Sequence, residues 1–223
     1  MNKEIIYDSP LIIKYHNFLT YDECKSIIDA IDAKEYDKAT VYSVPARDYY
    51  KSEGRTNSTY VDRTKKLLQL EIKITDFFNT ELNAINGKNT QYNPETPLAI
   101  QKYGVGEQYK VHVDYFNNTE KVHNNDRLAT CILYLNDDFE GGHTFFKQLN
   151  ISIKPKSGMI LFFKYDSKYS HENYKTIHAG LPVESGTKYI ISAFMREGSI
   201  PDWKPTASDK IIKLNHVYPH ITA

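Results

Sequence analysis

At 223 residues the chain is long enough to bury one sizeable core and suits a single domain, residues 1–223, without a separate partner-binding module. Lysine plus arginine and aspartate plus glutamate both total 28, with no block of one sign, which argues against a nucleic-acid partner held by counterion release. No apolar run reaches the length of a membrane span, no secretory leader is evident, and the two cysteines, Cys24 and Cys131, lack metal-type spacing, so a reduced, cytoplasmic protein is expected.

Residues Pro10 to Tyr15 read as a short strand. Thr20 and Glu23 then form a capping box, in which the threonine hydroxyl accepts from the third helical amide and the glutamate reaches back. The helix that follows is expected to run to about Ala33, with Cys24, Ile27, Ile28 and Ile31 on its apolar face. From Lys34 to Tyr60 the periodicity dissolves into a polar, tyrosine-rich region containing Pro45, Arg47, Gly54 and Arg55, the composition of a lid or binding loop. A second helix is expected over Val61 to Leu82, with Leu67, Leu68, Ile72, Ile74, Phe77 and Phe78 as its apolar stripe, ended by Asn86-Gly87.

After Pro94 short strands with frequent turn signals are expected at Leu98–Tyr103, Tyr109–Asp114, Leu128–Leu135, His143–Phe146, Ile151–Lys154, Met159–Phe163, Thr176–Gly180 and Lys188–Arg196. Two helices followed by eight such strands predict a mainly β fold with N-terminal helices and a jelly-roll core, a double-stranded β-helix. Residues 1–95 would then be helical support with a lid loop, 96–197 the jelly-roll core, and 198–223 a C-terminal tail.

The chemistry concentrates at His112 and Asp114. One residue apart on a strand, an imidazole and a carboxylate share one face, and with a second histidine they make the two-histidine, one-carboxylate set of non-haem Fe(II) oxygenases, which leaves open positions on the metal. His178 is the candidate. A turn at Glu184-Ser185-Gly186 predicts a hairpin that brings Lys188 back across from His178, aiming the lysine into the same cavity. His16, His123, His143 and His171 read as surface residues, and His216 and His220 as a tail pair without a third ligand nearby.

Five motifs in order carry a family resemblance. They are Tyr103-x-x-Gly106-x-x-Tyr109-x-x-His112-x-Asp114-Tyr115, Arg127-x-x-Thr130-x-x-x-Tyr134, Gly141-Gly142-x-Thr144-x-Phe146, Pro155-x-x-Gly158, and His178 with Lys188 ten residues on. From Pro10 to Arg196 the chain resembles the prolyl 4-hydroxylase-like branch of the Fe(II)/2-oxoglutarate dioxygenases. The resemblance implies iron ligation by His112, Asp114 and His178, and 2-oxoglutarate binding by Lys188, Tyr134, Tyr103 and Thr144. It also implies substrate contacts from Arg127, Tyr115 and Arg55, O2 as second cosubstrate, and ascorbate as the supporting reductant. The implied reaction decarboxylates 2-oxoglutarate to succinate and CO2 while hydroxylating a substrate, a prolyl residue in a protein or peptide or else a free amino acid or other small molecule. No nucleic acid and no membrane enter this reading, and a homodimer is compatible with it. Collagen-type enzymes carry Trp-x-His where this chain has Phe194-Met195-Arg196, which weakens the transfer of peptide specificity. A cupin-like binding protein, a nucleic-acid demethylating oxygenase and a zinc hydrolase are the rival readings; the first needs no cation at position 188.

Overall fold

The computed structural model describes residues 1–31, 35–43, 48–95, 97–115, 127–165 and 171–197. In chain order it contains the hairpin β1 (Asn2–Asp8) and β2 (Leu11–His16), then α1 (Tyr21–Asp29). The tyrosine-rich region contributes β3 (Asp37–Lys38), β4 (Val41–Ser43), β5 (Asp48–Tyr50) and β6 (Ser58–Val61), and α2 (Leu68–Asn86) follows. Beyond it run β7 (Tyr92–Pro94), β8 (Ala99–Tyr103), β9 (Tyr109–His112), β10 (Arg127–Tyr134), β11 (Glu140–Gly141) and β12 (Thr144–Phe146). The last described strands are β13 (Ile151–Ile153), β14 (Ile160–Lys164), β15 (His178–Gly180), β16 (Val183–Ser185) and β17 (Lys188–Glu197), with a 3-10 helix at His171–Thr176 before β15.

These strands form two principal sheets. The larger has the order β1-β2-β14-β10-β17-β8-β6-β3, with β7 beside the far end of β17, and the smaller has the order β13-β12-β15-β9. Alternation along each strand of the larger sheet decides what lies on either side. Cys131 and Leu133 of β10, Ile160 and Phe162 of β14, and Ile191, Ala193 and Met195 of β17 share a buried cluster with Cys24 and Ile27 of α1 and with Ile74, Phe77, Phe78 and Leu82 of α2. The intervening residues Ile132, Tyr134, Leu161, Phe163 and Ile190 join Phe146 and Ile153 of the smaller sheet in a second cluster. The helices therefore support one face of the larger sheet, and the jelly-roll interior occupies the other. At roughly 1.5–3 kcal/mol per fully buried large apolar side chain, both layers contribute substantially to stability.

The capping box forms as expected: the Glu23 amide donates to Thr20 Oγ1 (3.2 Å) and the Thr20 amide to Glu23 Oε2 (2.8 Å). The helix is shorter than expected, with its C-cap at Ala30. The second helix begins at Leu68 rather than near Val61. Its start is delayed because the Asp62 carboxylate, fully buried, accepts from the amides of Lys66 (2.9 Å) and Leu67 (2.7 Å). Lys65 also adopts a left-handed φ of 59°, which no α-helix continues through. Gly87, at φ 62°, ends the helix through an amide bond to the Asn83 carbonyl. Cys24 and Cys131 are free and buried. Among the described residues, no helix is long and apolar enough to cross a membrane.

The N-terminal part is more than helical support, since β1, β2, β3, β6 and β7 extend the larger sheet. The hairpin expected to oppose Lys188 to His178 does not form. β15 pairs with β12 and β9, β16 pairs with β11, and β17 pairs with β10, β8 and β7. Between His178 and Lys188 the chain passes from the smaller sheet to the larger one. The tail beyond residue 197, with His216 and His220, and parts of the tyrosine-rich region lie outside the described residues, as does His123.

Candidate metal centre and cosubstrate pocket

His112 ends β9, and its register partner across the smaller sheet is His178, the first residue of β15. Asp114 lies just past the end of β9, so strand geometry alone does not bring it to His112. The turn after the strand does, helped by Arg127, whose Nη1 donates to the Asp114 carbonyl at 2.7 Å. One ligand atom from each of the three residues can be chosen so that all lie within 4.8 Å of one another. His112 Nε2 is 3.4 Å from Asp114 Oδ1, and His178 Nε2 is 3.5 Å from Oδ2.

Both histidines are oriented the same way. His112 Nδ1 bonds the Lys110 carbonyl (2.8 Å) and His178 Nδ1 the Thr176 carbonyl (2.9 Å). A carbonyl only accepts, so each Nδ1 carries a proton and each Nε2 is the nitrogen that faces the cluster, the orientation that a metal requires. The Tyr109 ring stacks on His112 with centroids 3.5 Å apart and an interplanar angle of 15°. Phe163 and Phe146 flank His178 at 5.0 and 5.8 Å. Burial alone would raise the Asp114 carboxyl, but His178, His112 and Arg127 outweigh it and hold the group well below the usual carboxylate range. Burial, reinforced by His112, lowers the His178 imidazole to about 4. A carboxylate held ionised and two imidazoles that turn Nε2 toward it are a donor set that fits a divalent transition metal.

Lys188 approaches from the opposite sheet. It pairs in register with Tyr103 of β8 and points to the same side of β17 as Ile190, into the interior. It is 2% exposed, and its Nζ donates to the Gly142 carbonyl at 2.6 Å. The Nζ also lies over the Tyr103 and Tyr134 rings, 5.2 and 5.7 Å from their centroids. Burial pushes its pKa down to about 7. Among the described residues no carboxylate pairs with it, an arrangement that leaves a buried cation to be neutralised by an anionic ligand. Tyr134, fully buried, has its hydroxyl 2.7 Å from Thr144 Oγ1, so Lys188, Tyr103, Tyr134 and Thr144 converge on one polar pocket in the apolar interior. Gly142, at φ 62°, has no room for a side chain, because a Cβ there would stand 2.9 Å from the Phe139 ring and 3.2 Å from Lys188 Cδ. That close approach lets its carbonyl reach the ammonium.

Of the three residues read as substrate contacts, Arg127 is committed to the framework. Its Nε and Nη2 donate to the two oxygens of Glu95 (2.7 and 2.8 Å), and its guanidinium carbon lies 3.6 Å from the Phe194 ring centroid. Arg196 also donates to Glu95, through Nε at 2.7 Å. Arg55 lies over the Tyr109 ring, 5.0 Å from its centroid, and donates to Asn57 Oδ1 and the Thr40 carbonyl. Tyr115 rests against Tyr165, with ring centroids 5.4 Å apart. Glu95 and Tyr165 were not singled out from sequence. The signal for Tyr165 was there, since Leu161, Phe163 and Tyr165 alternate toward the interior; an isolated Glu95 between two prolines carried none.

The class that this fold and site define is the 2-oxoglutarate and Fe(II)-dependent oxygenases: a family model described as "2OG-Fe(II) oxygenase superfamily" matches residues 98–196. Prolyl 4-hydroxylase 1 of Arabidopsis thaliana is 31% identical over 213 residues, covering 87% of this chain and 71% of the relative. The prolyl 4-hydroxylase subunit alpha-1 of Gallus gallus is 25% identical, and the match spans 88% of this chain but 38% of that longer protein. The 2-oxoglutarate complex of a viral collagen prolyl hydroxylase from Paramecium Bursaria Chlorella virus-1 superposes with a TM-score of 0.62 at 26% identity, covering 86% of this chain and 98% of that one. The chain belongs to the prolyl 4-hydroxylase-like 2-oxoglutarate and Fe(II)-dependent oxygenases. It is an enzyme of that class, whose members use Fe(II), 2-oxoglutarate and O2.

Proposed function

We propose that this enzyme hydroxylates a prolyl residue in a protein or peptide, releasing succinate and CO2. The observation that carries the reading is the pairing of the His112, Asp114 and His178 cluster, of which Asp114 and His178 are buried, with a buried cation, Lys188, on the opposite wall of the jelly roll. A binding protein of the same fold has no need of a cation at position 188. The names of the relatives, prolyl hydroxylases of plant, animal and viral origin, support a prolyl substrate.

In this reading His112, Asp114 and His178 hold the iron, which with O2 supplies the oxidising chemistry. Lys188 would bind the distal carboxylate of 2-oxoglutarate, and Tyr134, Tyr103 and Thr144 would complete that pocket. Phe146, Phe163 and Ile190 exclude water from around it. Arg127 positions the Asp114 backbone from its anchor on Glu95, and Arg127, Tyr115 and Arg55 are the candidate substrate contacts. Residues 1–223 form one oxygenase domain in this reading, and the free thiols suit a reducing compartment such as the cytoplasm.

The test is turnover of the purified protein with Fe(II), 2-oxoglutarate, ascorbate and O2, with and without a proline-rich peptide. Succinate that rises with peptide, and a peptide product about 16 mass units heavier as oxygen insertion requires, are the expected results. Succinate stimulated by free proline but not by peptide would replace the peptide reading with a small-molecule one. No succinate and no 2-oxoglutarate binding would remove the reading altogether.

A further inference from the structure

Asp114 can serve a facial metal site only if it ligates through one oxygen. A carboxylate that chelates through both would occupy one of the positions that 2-oxoglutarate and O2 need. The surroundings of the carboxylate bear on this directly. Thr130 Oγ1 donates to Asp114 Oδ2 at 3.0 Å, and the same Oγ1 is 2.5 Å from the Tyr165 hydroxyl. Thr130 has one hydroxyl proton. Since an ionised carboxylate can only accept, that proton is directed at Oδ2, and the Tyr165 hydroxyl must donate to Thr130. The result is a directed relay, Tyr165 O–H to Thr130 Oγ1 and Thr130 O–H to Asp114 Oδ2.

Both relay members are held rigidly. Thr130 is fully buried at the centre of the larger sheet, opposite Phe163 of β14 and Phe194 of β17. Tyr165 is 4% exposed and lies between Tyr115 and Phe163, with ring centroids 5.4 and 6.0 Å away. Neither hydroxyl has a part in holding 2-oxoglutarate in the reading above. A threonine buried among apolar side chains would be replaceable by valine at little cost to packing; the hydroxyl costs free energy unless it is bonded.

We infer that Thr130 and Tyr165 are positioning residues that confine Asp114 to one-oxygen ligation, with Thr130 occupying Oδ2 and leaving Oδ1 for the metal; this rests on the iron-site reading above. Tyr165 acts through Thr130, by removing the alternative in which the threonine proton turns away and frees Oδ2.

The test counts the open positions on Mn(II) bound to the full-length protein without 2-oxoglutarate, from the relaxation enhancement of water protons per bound ion. Wild type is expected to hold about three exchangeable waters, the number a three-ligand octahedral site leaves. Thr130→Val is expected to hold about two, a fall of roughly one third in enhancement, because Oδ2 becomes free to chelate. Thr130→Ser, which restores the hydroxyl, returns the wild-type value, whereas a merely structural role for residue 130 would not separate serine from valine in this way. Tyr165→Phe is expected to fall between the wild type and the valine variant. Equal water counts in wild type, Thr130→Val and Thr130→Ser would overturn the positioning inference while leaving the metal site standing. Failure of the wild type to bind Mn(II) would overturn both. Should Thr130→Val lose the metal or fail to fold, Tyr165→Phe decides the matter, and an unchanged water count there overturns the relay.

Discussion

Replacing Lys188 by methionine removes a charge while keeping most of the apolar stem. The position is 2% exposed, the ammonium has the Gly142 carbonyl as its hydrogen-bond partner at 2.6 Å, and water has no ready access to stand in for it. A carboxylate bound there in the variant would be buried without its cation. Breaking a buried pair by removing one partner costs about 3–5 kcal/mol, which at about 1.4 kcal/mol per decade is a Kd for 2-oxoglutarate about 140- to 3,700-fold weaker. Calorimetric titration with 2-oxoglutarate in the presence of Mn(II) measures this directly. Burial lowers the Lys188 pKa to about 7 from 10.5, so pH adds a second signature. Below pH 7 the ammonium is already protonated and affinity is flat. Above it, binding must take up a proton, and Kd rises by about tenfold per pH unit. The sign for folding is the opposite: the unfolded lysine holds its proton more tightly, so the cost to the ligand-free native state is greatest below pH 7 and fades as pH rises toward 10.5. The methionine variant is expected to lose both dependences. A variant Kd within about threefold of wild type, or a wild-type Kd unchanged from pH 7 to 9, would refute the assignment of Lys188 to the distal carboxylate.

His112→Ala is expected to abolish Mn(II) binding in calorimetry and turnover with Fe(II), while the thermal melt of the metal-free protein stays close to wild type, since the ring stacks on Tyr109 at a half-buried edge. Asp62→Ala removes a buried carboxylate that accepts from two amides and the Tyr60 hydroxyl; urea denaturation is expected to show a loss of about 1–3 kcal/mol. Gly158→Ala is expected to cost more than about 3 kcal/mol in the same assay, because φ is +71° and a Cβ would stand 2.0 Å from the Leu19 carbonyl oxygen. An Ala variant as stable as wild type would show that the junction between Leu19 and Gly158 relaxes freely.

Most of the elements that line the site were legible in the sequence. The β8, β9, β10, β12, β13, β14 and β17 strands lie within a residue or two of expectation, because alternation and turn chemistry are local. The capping box at Thr20 and the Gly87 stop were legible for the same reason: each is satisfied by atoms within a few residues. The start of α2 was not, since helical periodicity extends through Val61 to Leu67 and only the Asp62 carboxylate and the left-handed Lys65 show that those residues turn instead. Strand β1 and the short strands of the tyrosine-rich region were also missed. Their apolar alternation is weak; β1 and the β4–β5 pair are held by neighbours in the chain, while β3 and β6 depend on partners about 20 to 45 residues away.

The candidate site divides the same way. Residue chemistry in the sequence offered the imidazole and carboxylate one residue apart with a second histidine, and the family resemblance added the roles of the lysine ten residues further on and of the tyrosines and threonine of the intervening motifs. Tertiary structure decided how they meet. Lys188 reaches the pocket from the larger sheet and not across a hairpin from His178, because β15 and β17 find their partners in different sheets. Asp114 reaches the histidines from beyond the end of its strand, with its backbone tethered by Arg127 and its Oδ2 bonded by Thr130. A side chain's type is written in the chain, but the atom that faces it depends on strand pairings over long sequence separations, which no local pattern encodes.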